Sequence, residues 1–181
     1  DWYKIFGIFT GDGWIRKNER PMIGFAFHES EKENLNFVKN KFEQIGCEVS
    51  ENHSKTRKLI QLSVNSKPVY LLFKKLYDEY EFTSATKYVP DFVLSASEEN
   101  VASFLEGYCA ADGHEDENKF RFTTVSRKLA DQVRFLCWRI NIPASLGIDN
   151  RIDKREEFKN TQTCYYVTIP QDERIGKTKA K

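Results

Sequence analysis

The order of hydrophobic and polar residues predicts helices that alternate with short strands. Two segments of the first half, 23–27 and 60–64, alternate apolar and polar residues, which is typical of half-buried strands. Between them, apolar residues recur at helical spacing from about Ser30 to Ile45, and Gly46 is suited to ending that helix. Short strands are expected beside these, so the predicted order is helix, two strands, helix, two strands, helix.

The segment Asn65-Ser66-Lys67-Pro68 is expected to open the last helix of the first half, with Pro68 in its first turn, where proline is favoured. Its apolar stripe is predicted to consist of Leu71, Leu72, Leu76 and Tyr80.

The second half repeats this order without a counterpart of that last helix. A strand is predicted at 120–122, then a helix that Ser126 caps and Pro143 ends, then strands at 144–148 and 165–169.

A nine-residue stretch occurs twice, as residues 5–13 (IFGIFTGDG) and 105–113 (LEGYCAADG). Its aspartates, Asp12 and Asp112, lie one hundred positions apart. A repeat of this length predicts two similar halves of one fold. A single Asp-Gly most often marks a turn, but two copies in register favour a functional interpretation.

Small residues within each copy predict that the two stretches pack against each other as helices. Gly7 and Gly11, and likewise Gly107 and Ala111, are four positions apart and therefore lie on one helix face. Glycine inside a helix costs about 1 kcal/mol relative to alanine, so its presence suggests close approach of another backbone. These four residues are the predicted helix interface.

The end of each helix is predicted to carry a carboxylate. Gly13 and Gly113 are suited to the left-handed conformation that often ends a helix, which leaves Asp12 and Asp112 at helix C-termini. If the helices are parallel, the two carboxylates converge and repel each other. A divalent cation would relieve that repulsion, and Mg²⁺ prefers oxygen ligands.

These stretches resemble the paired motifs of the LAGLIDADG homing endonucleases, in the two-motif, single-chain form. The segment between them, Lys87-Tyr88-Val89-Pro90-Asp91-Phe92-Val93-Leu94 followed by Phe104-Leu105-Glu106-Gly107, is similar to that of intein-borne members. The resemblance covers nearly the whole chain.

The resemblance implies an α+β fold of two pseudo-symmetric αββαββα repeats. Each repeat would be a four-stranded antiparallel sheet backed by helices, and the two would join along central parallel motif helices to form a DNA-binding saddle. The expected boundaries are 1–80 for the first repeat, 81–97 for a connector, 98–170 for the second repeat and 171–181 for a polar tail.

The resemblance also implies a catalytic centre. Asp12 and Asp112 would bind metal, with the carbonyl groups of Gly11 and Ala111 as further ligands. Lys67, after the fourth strand, is the candidate for a basic active-site residue, and a plain solvated lysine is the alternative. Family members often place a polar residue near the end of the second strand of each repeat; the candidates are Glu29, Ser30, Thr124 and Ser126.

Charge is segregated although the formal net charge is only +1. Basic residues cluster in the predicted hairpins, where they could contact phosphates or guanine edges; ordinary solvated loops are the alternative. The candidate DNA-binding residues are Arg16, Lys17, Arg20, Lys55, Arg57, Lys58, Lys119, Arg121, Arg151, Lys154 and Arg155.

The 181 residues give little support for a membrane-spanning, zinc-binding or secreted protein. No apolar run approaches the roughly 20 residues of a membrane span. The four cysteines show no zinc-type spacing and are expected to be core thiols, with a disulfide as the minor alternative. With no visible secretory signal, an intracellular protein is expected.

The sequence therefore predicts a monomeric, sequence-specific, double-strand DNA endonuclease. It would hydrolyse phosphodiesters with Mg²⁺, for which Mn²⁺ or Ca²⁺ can substitute in binding, at a long asymmetric site, and it would act in intein homing. The alternative is a catalytically silent DNA- or RNA-binding protein, maturase-like or regulator-like, on the same fold. A generic α+β protein with a chance repeat is a further alternative.

Overall fold

A computed structural model describes residues 1–17, 21–54, 56, 58–77, 82–116, 119–149 and 163–170. The first repeat contains three helices and four strands in the predicted order. Their bounds are α1 Trp2–Asp12, β1 Gly13–Arg16, β2 Met22–His28, α2 Lys32–Gln44, β3 Glu48–His53, β4 Leu59–Asn65 and α3 Lys67–Tyr77.

A short helix belongs to the connector, and the second repeat follows it. The bounds are α4 Asp91–Leu94, α5 Glu98–Asp112, β5 Gly113–Asp116, β6 Lys119–Thr124, α6 Arg127–Arg139, β7 Ser145–Asp149 and β8 Cys164–Pro170. The predicted polar tail, 171–181, lies outside the described residues.

Each repeat forms a four-stranded antiparallel sheet, and the two sheets have the same strand order. The orders are β1-β2-β4-β3 and β5-β6-β8-β7. Equivalent pairs begin both sheets: Gly13 pairs with Phe25, and Gly113 pairs with Phe122. The predicted fold class, two α+β repeats that each hold a four-stranded antiparallel sheet, is confirmed.

The two repeats meet along α1 and α5, which run in the same direction. Near their N-terminal ends, Ser103 Oγ donates a hydrogen bond of 2.9 Å to Asp1 Oδ2. At the other ends, a methyl group added to Gly11 would lie 2.5 Å from Cβ of Ala111. Lys4 Nζ and Glu106 Oε1 form an ion pair of 2.6 Å across the same interface.

Glycine is required in the middle of this interface. A Cβ atom on Gly7 would overlap the carbonyl oxygen of Phe104, and one on Gly107 would overlap that of Lys4. Backbone groups cannot move aside as a flexible side chain can, so a larger residue would force the helices apart.

The glycines after the motif helices differ from the prediction. Gly13 and Gly113 are extended, with φ of −81° at both positions, and are not left-handed. Strand β1 or β5 starts directly at each glycine, so the chain needs no reversing residue there. Glycine is needed for space instead, since a Cβ atom on Gly13 would overlap the carbonyl group of Phe9.

The predicted stripe of α3 is also wrong in part. Leu71 and Leu72 are about half exposed, at 51% and 50%, whereas Tyr70, Phe73 and Tyr77 are buried. The aromatic residues occupy the face toward the sheet, because Phe73 and Tyr77 both pack against Phe9 of α1. Tyr80 lies outside the described residues.

A buried polar contact fixes α3 to α1. Tyr77 Oη donates a hydrogen bond of 3.0 Å to the carbonyl group of Phe6. Thr10 Oγ1 donates to the same carbonyl group at 2.8 Å and lies 3.1 Å from Tyr77 Oη. These three groups satisfy one another, so a threonine is accommodated inside the motif helix at little cost.

In the part of the chain that the structure describes, no helix is both long and apolar enough to cross a membrane. All four cysteines lie in the described part of the chain and none forms a disulfide bond there, and Cys137 is buried.

Gly107→Ala is expected to lower the free energy of unfolding by about 1–3 kcal/mol, because overpacking outweighs the gain in helix propensity. Urea unfolding followed by circular dichroism measures this difference. Asn36→Ala, on the exposed face of α2, is the control and should change stability by no more than about 0.5 kcal/mol. Unchanged or increased stability of Gly107→Ala would contradict the observed interface.

Candidate active site

Two carboxylates meet where the motif helices end. Asp12 is the last residue of α1 and Asp112 is the last residue of α5. Both side chains are half-buried, and a methyl group added to Gly11 would lie 3.3 Å from Oδ2 of Asp112. The parallel packing of α1 and α5 therefore brings the two predicted carboxylates to one place.

This position is unfavourable for negative charge. Burial raises the pKa of Asp12 to about 7, and the nearby charge of Asp112 adds to the effect. Burial likewise raises the pKa of Asp112 above its usual range, although Lys87 and Tyr108 oppose that shift. The partial negative charge at the C-terminus of each helix acts in the same direction.

One lysine side chain lies close enough to both carboxylates for its charge to act on them. Lys87, from the connector, donates a hydrogen bond from Nζ to the carbonyl oxygen of Gly11. Burial lowers the pKa of the Lys87 ammonium group, and the charges of Asp112 and Asp12 oppose that shift. Its ammonium group also lies 5.7 Å from the ring centroid of Phe82.

The surroundings of the two carboxylates differ. Glu31, which follows β2, adds a negative charge that acts on Asp12. On the other side, Tyr108 is fully buried, and its hydroxyl group makes no hydrogen bond of standard geometry among the described residues. The charge of Asp112 helps to raise the pKa of Tyr108 well above its usual value, after burial, which is the larger cause.

Comparison with known proteins gives the same architecture. A family model described as a LAGLIDADG-like domain matches residues 99–178, which include α5 and the second motif. The first motif and the first sheet repeat this arrangement. The second repeat therefore matches a LAGLIDADG-like domain.

Solved structures share the fold of this chain at low sequence identity. A mesophilic variant of the homing endonuclease I-DmoI matches with a TM-score of 0.66 and 14% identity, over 96% of this chain and 89% of that chain. I-DmoI in complex with DNA and Mn matches with a TM-score of 0.61 and 16% identity, over 92% of this chain and 87% of that one.

A curated relative matches almost the whole chain. It is a DNA polymerase of Thermococcus hydrothermalis, 25% identical over 185 residues, with 96% of this chain and 11% of the relative covered. The chain therefore spans about a tenth of the length of the curated relatives that it matches.

The four predicted metal ligands come together. Gly11 and Ala111 pack against each other directly before Asp12 and Asp112. The described residues include no group of three or more His, Cys, Asp or Glu that could hold a metal ion. A metal here would therefore take two carboxylates and complete its shell with carbonyl, water or phosphate oxygens, a donor set that suits Mg²⁺.

Lys67 is not among the charged groups that act on the aspartates. It is the exposed first residue of α3, and Lys87 is the lysine whose charge acts on both carboxylates. Lys87 lies in the connector motif, but the sequence predicts no role for it. A lysine beside the apolar Tyr88 and Val89 was the only signal available, because its approach to Gly11 depends on tertiary structure.

Several predicted DNA-binding residues lie on or beside the sheets, away from the core. Arg16 ends β1 with its guanidinium group 5.3 Å from the Trp14 ring centroid, and that of Arg121 in β6 lies 4.9 Å from the Tyr166 ring centroid. Lys17, Lys58 and Lys119 are exposed. The remaining candidates lie outside the described residues: Arg20, Lys55, Arg57, Arg151, Lys154 and Arg155.

Asp12→Asn is expected to make the metal-free protein more stable at pH 8 but not at pH 4. In the unfolded chain Asp12 loses its proton near pH 4, whereas in the folded protein it keeps the proton up to about pH 7. The folded state therefore binds more protons between these values, and its stability falls as pH rises through them.

Urea unfolding at both pH values measures the difference, which reaches at most about 4 kcal/mol at pH 8 since one pKa unit is about 1.4 kcal/mol. In parallel, the ¹³C signal of the Asp12 carboxyl group should titrate near pH 7. If Asp12→Asn is as stable as the wild-type protein at both pH values, the carboxyl group of Asp12 is not held protonated in the folded protein.

Proposed function

We propose that this protein is a sequence-specific double-strand DNA endonuclease of the homing type. The observation that carries this proposal is the convergence of Asp12 and Asp112 at the ends of two parallel helices, where their negative charges are unfavourable without a cation. Folding tolerates such a pair poorly, so a binding role for the carboxylates is a better explanation than a structural one.

The substrate follows from the symmetry of the molecule. Each repeat supplies one carboxylate and one sheet, and the sheets have the same topology. A DNA duplex has a local twofold axis as well, so one carboxylate can face the scissile phosphodiester of each strand. The exposed basic residues beside the sheets, Arg16 and Lys119 among them, are suited to the phosphate backbone.

The chain's differences between repeats favour an asymmetric target. Arg121 of β6 stacks on Tyr166, whereas its counterpart region in β2, Met22–His28, carries no arginine or lysine. Two unlike reading surfaces bind unlike half-sites most tightly. I-DmoI, which has the same fold, is described in complex with its target DNA.

Asp12 and Asp112 would hold Mg²⁺, with the carbonyl groups of Gly11 and Ala111 beside them. Bound there, Mg²⁺ would lower the pKa of a water molecule and neutralise charge on the phosphate. I-DmoI structures are described with Mn and with Ca, which supports substitution of Mn²⁺ or Ca²⁺ in binding. Asp12 then enters the reaction as a ligand, since a nearby cation favours its ionised form.

In this proposal Lys87 is the basic active-site residue, the role for which Lys67 was the candidate from the family resemblance. Its ammonium group already lies at Gly11, where its charge acts on both carboxylates, and from there it can stabilise the charge that develops on the phosphate or orient the attacking water. Lys67, exposed at the start of α3, stays a prediction as a basic residue of the site.

Asp12→Asn and Asp112→Asn are each expected to abolish linearisation of a supercoiled plasmid in Mg²⁺. The plasmid carries the joined flanks of the coding segment as the candidate target. Lys87→Met is expected to lower the cleavage rate by about 10²–10³-fold, as loss of one electrostatic donor does in other enzymes. DNA binding, measured by gel shift at low salt, should persist in all three variants because each changes the net charge by only one unit.

Glu99→Gln, exposed near the start of α5, is the control and should cleave as the wild-type protein does. If Asp12→Asn cleaves the plasmid as the wild-type protein does, the proposal is wrong.

A DNA- or RNA-binding protein without nuclease activity is the second candidate. The contact of Lys87 with Gly11 favours it, because this internal cation already offsets part of the carboxylate charge without metal. Gel-shifted but intact DNA in Mg²⁺, with Asp12→Asn binding as tightly as the wild-type protein, would support this candidate over the nuclease.

A further inference from the structure

The lysine at the centre of the site is carried by a connector segment, 87–90, that belongs to neither sheet. Lys87 reaches Gly11 through a long, flexible side chain. A side chain of that kind is held in one place only if the backbone that carries it is fixed. Tyr88, Val89 and Pro90 are buried, so the polar groups of this backbone need partners inside the protein.

A serine of the second repeat binds the backbone of Lys87 itself. Ser126 Oγ donates a hydrogen bond of 2.6 Å to the carbonyl oxygen of Lys87. Ser126 Oγ also accepts a hydrogen bond of 3.2 Å from the backbone N–H of Leu129, which caps α6. Ser126 is only 2% exposed, so no water replaces it, and the start of α6 is joined directly to the connector.

A glutamine of the same helix binds the backbone two residues further on. The backbone N–H of Val89 donates to Gln132 Oε1 at 2.8 Å, and Gln132 Nε2 donates to the carbonyl oxygen of Val89 at 3.2 Å. The carboxamide thus satisfies both backbone groups of Val89, as a neighbouring strand would. Only a side chain with a donor and an acceptor side by side can do this.

We infer that Gln132 and Ser126 are positioning residues, which fix the connector on α6 so that the Lys87 ammonium group stays at the carbonyl group of Gly11, near Asp12 and Asp112. The role of Lys87 in this inference rests on the proposed nuclease function. The second repeat then supplies two things to the site: its own aspartate, and the scaffold for the lysine. Neither Gln132 nor Ser126 touches the reacting atoms.

The chain provides a matched control on the same helix. Arg139 donates two hydrogen bonds to the same connector, from Nη1 to the carbonyl oxygen of Leu94 at 2.7 Å and from Nη2 to that of Ala96 at 2.8 Å. Arg139→Met removes as many contacts with the connector as Gln132→Met does. Its contacts lie at the last residue of α4 and just after it, several residues along the connector from Lys87, so Arg139→Met is expected to destabilise the protein without moving the lysine.

The first experiment needs neither metal nor DNA. The metal-free protein is treated with an amine-acetylating reagent, and modification of Lys87 is measured by mass spectrometry relative to the exposed Lys32. Gln132→Met should raise the labelling of Lys87 by about tenfold, the effect of losing two hydrogen bonds. Ser126→Ala should raise it as well, Ser126→Thr should restore protection, and Arg139→Met should leave it unchanged.

The second experiment is a double-mutant cycle on single-turnover cleavage. Gln132→Met should lower the rate by about 10²-fold, as a small misplacement of a catalytic group can. In the Lys87→Met background it should have no further effect, because the lysine through which it acts is gone. Its effect on unfolding in urea should be the same in both backgrounds, which separates positioning from stability.

The failure of the proposed function and the failure of this inference give different results in the two experiments. If the folded wild-type protein cleaves no DNA, the proposed function is wrong, and the labelling experiment still decides where the lysine is held. Equal labelling of Lys87 in the wild-type protein and Gln132→Met would overturn the inference, as would equal increases in Gln132→Met and Arg139→Met. An undiminished effect of Gln132→Met in the Lys87→Met background would overturn it too.

Discussion

The whole structure depends on the close contact between the backbones of α1 and α5. Gly7 and Gly107 each lie against a carbonyl group of the opposite helix, so the axes approach more closely than any larger side chain would allow. Because both helices end at an aspartate, the same packing forces two carboxylates together in a half-buried place. Burial and mutual repulsion then raise the pKa of Asp12 to about 7. Buried apolar area along the rest of the core offsets this local cost.

The sheets are oriented by the same contact. Each begins at the glycine directly after its aspartate, so the position of the first strand in either repeat follows from where the motif helix stops. The site and the candidate nucleic-acid surface are therefore parts of one rigid arrangement. Moving the helices apart would move the carboxylates and both sheets together, which links specificity to catalysis in the proposed function.

Symmetry is broken where single elements serve both repeats. The first repeat has a buried Thr10–Tyr77 contact that ties α3 to α1, and among the described residues the second has no such helix. The connector lysine is likewise single, and it is held by α6 of the second repeat. A duplicated fold with one lysine at its centre cannot treat the two strands of a duplex identically unless the metal ligands alone carry the reaction.

Local patterns were sufficient where one short-range rule decides the outcome. The duplicated motif, the alternation in β2 and β4 and the helical period of α2 and α6 predicted their elements, because side-chain direction along a strand or helix is set by backbone geometry. Prediction failed where the helical period left more than one apolar face that could be buried. Leu71 and Leu72 of α3 were expected inside, but Tyr70, Phe73 and Tyr77 are the buried residues, and which face of a strongly apolar helix turns inward depends on the surface it meets.

By itself, the sequence determined that two glycine-faced helices end in acids, and hence that a cation-binding pair of carboxylates is expected. Only the tertiary structure decided which basic group joins them. Lys67 and Lys87 are equally basic as residues of a sequence, and neither lies near the aspartates along the chain. Hydrogen bonds from Ser126 and Gln132, distant in sequence, bring one of them to Gly11, and long-range contacts of that kind leave no periodic trace in the order of residues.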